Sequence, residues 1–174
     1  MKHLLKDYSI IITGPGGTGK DTICNSLMKD PYNLKKIVRY TSRSPRDNEI
    51  DDIDYHFINP KKYRFYVNNK DFIFFSEYNM IVNGLYKTVG YGTKIDDFDR
   101  GTVSVVSMKE LEKIFINNLD NCFREKNTFI IYLYVDKDSR IKKMIERGDE
   151  ESEVLRRAED DEKWIKIILF YKKG

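Results

Sequence analysis

The run Gly14-Pro15-Gly16-Gly17-Thr18-Gly19-Lys20-Asp21-Thr22 follows directly on the apolar stretch Tyr8 to Thr13 and precedes a segment with helical apolar spacing. A glycine loop set between a strand and a helix leaves the chain little choice of local fold. It turns several backbone N–H groups toward one point and adds the positive end of the helix macrodipole, an arrangement that binds triphosphate. Gly14, Gly16, Gly17 and Gly19 lack the Cβ atoms that would block positive φ and the close approach of an anion. Lys20 can reach the β- and γ-phosphates, so residues Gly14, Gly16, Gly17, Thr18, Gly19, Lys20, Asp21 and Thr22 are the nucleotide-binding candidates. The plain alternative is a glycine-rich connection without a ligand.

A phosphate loop ordinarily carries Ser or Thr straight after its lysine to ligate Mg²⁺, whereas this chain has Asp21 there and Thr22 one place later. In one reading Asp21 is a first-turn acid favoured by the helix dipole and Thr22 supplies the hydroxyl. In the other Asp21 binds the metal itself, since a carboxylate beside a triphosphate is repelled unless a cation lies between them. The sequence leaves both open.

Beyond the loop, Ser9-Ile10-Ile11-Ile12, Val103 to Val106 and Phe129 to Val135 read as strands buried on both faces of a parallel sheet. Each precedes a segment with helical spacing, marked by Ile23, Leu27 and Met28, by Leu111, Ile114 and Phe115, and by Ile141, Met144 and Ile145. Alternation of this kind predicts a three-layer α/β core with its ligand site at the carboxyl ends of the strands. The stretch from Tyr40 to Tyr91 differs, with short aromatic and β-branched runs at Tyr55 to Ile58 and Phe72 to Phe75, and reads as a small, mostly β insertion suited to a second substrate. A chain of 174 residues makes one domain. Its net charge of +3, from 31 basic and 28 acidic residues, argues against a partner that is nucleic acid. No apolar run is long enough to span a membrane, and Cys24 and Cys122 have no metal-spaced neighbours, so a cytoplasmic protein with ordinary thiols is expected. His56 reads as a strand residue and not a base.

Thr41-Ser42-Arg43-Ser44-Pro45-Arg46, Glu49, Asp54-Tyr55-His56-Phe57 and Gly90-Tyr91-Gly92-Thr93 resemble, in this order, the acceptor-binding stretch of the guanylate kinases. With the loop at Gly14, Glu146-Arg147-Gly148 and Arg156-Arg157, the resemblance covers about three quarters of the chain. It implies a P-loop kinase fold with core 1–38, 100–146 and 154–174, an acceptor-binding insertion 39–99 and a lid 147–153. It also implies phosphoryl transfer from MgATP to a nucleoside monophosphate, GMP or dGMP. Arg43 and Arg46 present planar donor forks suited to one phosphate, with Tyr55 and Tyr91 adding hydroxyls, unless the arginines merely pair with Glu49 or Asp47. Thr93 and Glu77 complete the acceptor set.

The lid arginines by the same resemblance are Arg147 and one of Arg156 and Arg157, with Arg157 favoured and Asp161 as a partner one turn on. Lys20, Arg147 and Arg157 are then the catalytic candidates. The chain departs from the family at Arg39, where the relatives carry serine, at Phe74, where they carry glutamate, and at Ser107, where they carry an acid. Loss of two carboxylates that accept from guanine N1–H and its amine predicts weaker discrimination against adenine. The segment Met80 to Thr88 reads as an addition, and the apolar end Trp164 to Gly174 as core packing or a partner face in a monomer or homodimer. A kinase for another nucleotide or a sugar phosphate, and a non-catalytic peptide-binding module of the same family, are the alternatives.

Overall fold

A computed structural model of the chain describes residues 4–45, 49–82, 85–116 and 127–171. It divides into two compact units, one formed by the segments Met1–Lys36 and Asp99–Gly174 and the other by Ile37–Phe98.

The first unit is built on a parallel sheet. Strand β1 (Ser9–Thr13) is wholly buried, as its run of β-branched residues requires. Strand β2 (Lys35–Lys36) follows α1 (Lys20–Leu27). After the second unit the chain returns through β7 (Thr102–Val105), α3 (Met108–Ile116) and β8 (Thr128–Tyr132). Helices α4 (Lys137–Glu146) and α5 (Glu151–Tyr171) close the sequence. The sheet order is β2-β7-β1-β8, with every pairing parallel, which places the phosphate loop at the carboxyl end of a central strand. The α/β class is therefore as the sequence implies. Among the described residues no helix is long and apolar enough to cross a membrane.

The apolar stripes differ from the periodicity reading. In α1 the buried residue is Cys24, while Ile23 and Met28 are exposed. In α4 the buried face is Arg140 with Met144, an i,i+4 pair, and Ile145 is exposed. Strand β8 is not buried on both faces: it forms the sheet edge, and Phe129, Ile130 and Ile131 are 54%, 38% and 38% exposed. The side chains of Ile114 and Phe115, and Cys122, lie outside the described residues. The terminal segment continues one helix, α5, whose Val154, Ala158 and Ile165 are buried.

The second unit holds β3 (Arg39–Thr41), β4 (Tyr55–Phe57), α2 (Pro60–Asn68), β5 (Phe72–Val82) and β6 (Leu85–Lys94), with sheet order β4-β3-β6-β5. Helix α2 was not foreseen in a mostly β insertion. Its signal is Asn59-Pro60: the Asn59 side chain accepts from the Lys62 N–H at 2.8 Å and proline takes the first helical position. The stretch from Met80, read from the sequence as an addition, forms part of the β5–β6 ladder, paired as far as Val82 with Leu85.

Candidate active site

The phosphate loop joins β1 to α1 through positive-φ backbone that favours glycine. Gly14 has φ 143° and Gly17 φ 75°; a Cβ on Gly14 would lie 2.3 Å from the Leu133 carbonyl oxygen and one on Gly17 2.8 Å from that of Arg140. Lys20, at the start of α1, folds back over the loop and donates to the Gly14 and Pro15 carbonyls at 2.8 and 2.6 Å. Thr18 closes the same turn, its hydroxyl donating to Pro15 at 2.8 Å. Burial pushes the Lys20 ammonium below the usual lysine value, against the pull of Asp161 and Asp21. Asp21 and Thr22 are both exposed in the first turn of α1. They offer a carboxylate and a hydroxyl, hard oxygen donors of the kind Mg²⁺ takes together with phosphate oxygens. Among the described residues no group of three or more His, Cys, Asp or Glu side chains could hold a metal ion.

Arg140, absent from the sequence expectations, sits beneath this loop. Its side chain is 1% exposed and donates to the Val135 carbonyl, to Asp161 and to Glu162 at 3.1, 3.2 and 2.9 Å. The available signal was a charged residue one turn before Met144 on the buried face of α4. Asp161 is thereby corrected: its carboxylate serves Arg140 and accepts from the Gly16 N–H at 2.7 Å, where the sequence suggested a pairing with Arg157.

Arg147 caps the C-terminus of α4 and pairs with Asp149, while Arg157 Nη1 stands 4.0 Å from the same Asp149 oxygen. The Arg147 hydrogen bond holds the Asp149 carboxyl below the usual range. Arg156 pairs instead with Asp160 along α5 at 2.9 Å. Of the two neighbouring arginines, Arg157 is thus the one that shares a carboxylate with Arg147.

In the second unit, strand alternation and in-register pairing gather Arg39, Thr41, Tyr55, Phe57, Phe74, Ser76, Tyr91 and Thr93 on one face. Arg43 lies against this face. Its guanidinium meets Glu49 through two bonds of 2.5 Å, donates through Nε to the Tyr91 hydroxyl at 3.2 Å, and lies 5.0 Å from the Tyr55 ring centroid. The Glu49 pairing anticipated as a surface contact is real, but it is largely buried, with side chains 9% and 17% exposed. It drives the Arg43 pKa further up, while burial raises the Tyr55 hydroxyl. Thr93 is fully buried and accepts from Arg39 Nε at 3.1 Å.

Glu77 does not join this group. It pairs with Gly90, whose Cβ direction runs into the Tyr63 ring, so it lies on the opposite face of the sheet and is exposed. Phe74 is fully buried, edge-on to Phe98, and Ser107 is engaged in a capping box with Glu110, whose carboxylate accepts from the Ser107 N–H and hydroxyl at 3.1 and 2.8 Å. Arg46 lies outside the described residues. His56 is a strand residue as expected, its ring 2.6 Å from Asp52 and stacked on Tyr40.

A family model for guanylate kinase matches residues 6–163. Guanylate kinase of Clostridioides difficile strain 630 is 35% identical over 83 residues, which are 48% of this chain and 39% of that protein. The Prochlorococcus marinus guanylate kinase is 28% identical over 157 residues, 90% of this chain and 80% of that protein. The crystal structure of guanylate kinase from Anaplasma phagocytophilum shares the fold with a TM-score of 0.51 at 16% identity, covering 95% of this chain and 85% of that one. The matched segment thus spans well under half of the first relative and most of the second. With a single family model running through the glycine loop, the Arg43 cluster, Arg147 and Arg157, the chain belongs to the guanylate kinase family.

Proposed function

We propose that the chain is a nucleoside monophosphate kinase that transfers the γ-phosphoryl group of ATP to GMP or dGMP, in the cytoplasm and as a monomer or homodimer. The observation that carries this reading is the phosphate loop with Lys20 already seated over the Gly14 and Pro15 carbonyls. In-line transfer needs positioning and charge stabilisation and no covalent intermediate. Residues Gly14 to Thr22 hold the donor phosphates, and Lys20 meets charge growing between the β- and γ-phosphates. Thr22 and Asp21 would hold Mg²⁺, which supplies charge neutralisation on those oxygens. Arg147 and Arg157, from the lid segment 147–153 and the helix after it, act on the equatorial oxygens of the group in flight. Arg43, Arg46, Tyr55 and Tyr91 grip the acceptor phosphate, and Thr93, with Arg39 beside it, faces the base.

The test is ADP release from MgATP with GMP, dGMP, AMP, dTMP, CMP and ribose phosphates offered in turn. Turnover should be highest with the guanine nucleotides, and AMP should be less strongly excluded than a carboxylate-lined site would allow, because Phe74 and Ser107 bring no acid. Absence of turnover with every acceptor, together with binding of an acidic or phosphorylated peptide, would replace the kinase with an interaction module. A module freed of catalysis has no use for the loop geometry at Gly17, Gly19 and Lys20.

A further inference from the structure

We infer that Arg140 and Asp161 are positioning residues for the triphosphate loop: together they hold both polar groups of Gly16 and so fix the peptide between Gly16 and Gly17. The inference rests on the reading of this loop as the ATP site.

The contacts close a ring. The Gly16 N–H donates to Asp161 Oδ2 at 2.7 Å, the Gly16 carbonyl accepts from Arg140 Nη1 at 3.4 Å, and Arg140 Nη1 also donates to that same Asp161 oxygen at 3.2 Å. The guanidinium is fixed in turn, because Nε is bound to the Val135 carbonyl at 3.1 Å and Nη2 to Glu162 at 2.9 Å. A trans peptide sets its C=O and its N–H on opposite sides of one plane. Drawing the Gly16 carbonyl toward Arg140 therefore points the Gly17 N–H the other way. N–H groups at such positions are what a phosphate loop presents to its anion. Gly16 and Gly17 have no side chains to hold that peptide, and glycine samples more of φ, ψ space than any other residue. The ion pair supplies the missing restraint, reaching the loop from α4 through Arg140 and from α5 through Asp161.

Stability alone does not account for the pair. Removing two charges from water costs about as much as their attraction returns, and apolar side chains of similar volume commonly do as well. Ordering a binding loop before its ligand arrives is a different benefit, since affinity rises when the ordering cost is already met.

The experiment compares the full chain with R140M, D161N and the double variant R140M/D161L. It measures the ATP dissociation constant by competition with a fluorescent ATP analogue, KM for ATP and for GMP, and melting temperature. R140M/D161L, which removes both charges and leaves no buried carboxylate unpaired, should melt near wild type while ATP affinity and KM for ATP worsen about tenfold or more and KM for GMP stays put. D161N keeps an acceptor for the Gly16 N–H and should recover part of that loss. ATP binding by the double variant equal to wild type overturns the inference and leaves the ATP site standing. So does tighter binding by D161N, which would make Asp161 a competing anion, and so does a loss that merely tracks melting temperature across all three variants. Failure of wild type itself to bind ATP sinks the site reading and the inference with it.

Discussion

Asp149 joins two arginines: Arg147 Nη2 is hydrogen-bonded to its Oδ2 and Arg157 Nη1 is 4.0 Å from that same oxygen. On the proposed mechanism, two guanidiniums held near one half-buried carboxylate would exchange it for phosphoryl oxygens, which carry more charge in the transition state than Asp149 does. Arg147→Ala should therefore cut turnover by about 10³-fold or more while ATP affinity moves only a few-fold, and a loss under about tenfold would remove Arg147 from the mechanism. Arg157→Ala should resemble it, whereas Arg156→Ala, at the residue paired with Asp160, should stay within about threefold. The Arg147 bond also has a pH signature. Because it holds the Asp149 carboxyl below its unfolded value, the stability it contributes is present above the ordinary carboxylate range near ~3.9 and is lost as pH falls through the lower folded value. Asp149→Asn should flatten that acid-side loss in a series of melting curves, and an unchanged acid limb would show the pair to be energetically silent. The metal question left open by the sequence is decided by titrating Mg²⁺ against Thr22→Ala and Asp21→Ala: a raised requirement in the threonine variant alone rules out ligation by Asp21.

At the level of elements, β1, β7 and the glycine loop were legible because a continuous β-branched run and a phosphate loop each leave one local structure available. Helices α1, α3 and α4 were legible in position, unlike α2, but the buried faces of α1 and α4 were not, since apolar spacing cannot show that Arg140 occupies a buried site once Asp161 and Glu162 answer its charge. Glu77 was misplaced for a related reason. Its face is set by alternation along β5: Glu77 stands three residues after Phe74 in regular register, beyond the irregularity between Phe72 and Phe74, and so lies on the opposite face. Register also explains Gly90 and Gly92: each faces an aromatic ring, and a Cβ there would lie 2.1 Å from Tyr63 and 2.6 Å from Phe72. Gly90→Ala should destabilise the second unit by about 1–3 kcal/mol through overpacking, measured by denaturant unfolding, with a raised KM for the acceptor because Tyr91 follows in the same strand. A variant as stable as wild type would mean that α2 carrying Tyr63 yields easily.

For the molecule as a whole, the sequence told more about phosphates than about the base. The proposed phosphate grips are short local segments, the loop at Gly14 and the Arg43 stretch, and are legible as contiguous patterns. The proposed base side draws on Arg39, Phe74 and Thr93 from three separate strands, and it is their pairing that places the Arg39 guanidinium beside Thr93. The two compact units give the kinase reading its broadest test, because each substrate should mark a different one. In hydrogen exchange, ATP should protect the loop from Gly14 to Thr22 and, through the Gly16 contacts with Arg140 and Asp161, the backbone of α4 and the first half of α5. GMP should protect β3, β4 and β6, where Arg43, Tyr55 and Tyr91 are held, and a fully desolvated phosphate on that cluster should slow exchange there more than at Glu77 on the opposite face. Protection of the glycine loop by GMP alone, with β3 and β6 unchanged, would reverse the assignment of donor and acceptor sites.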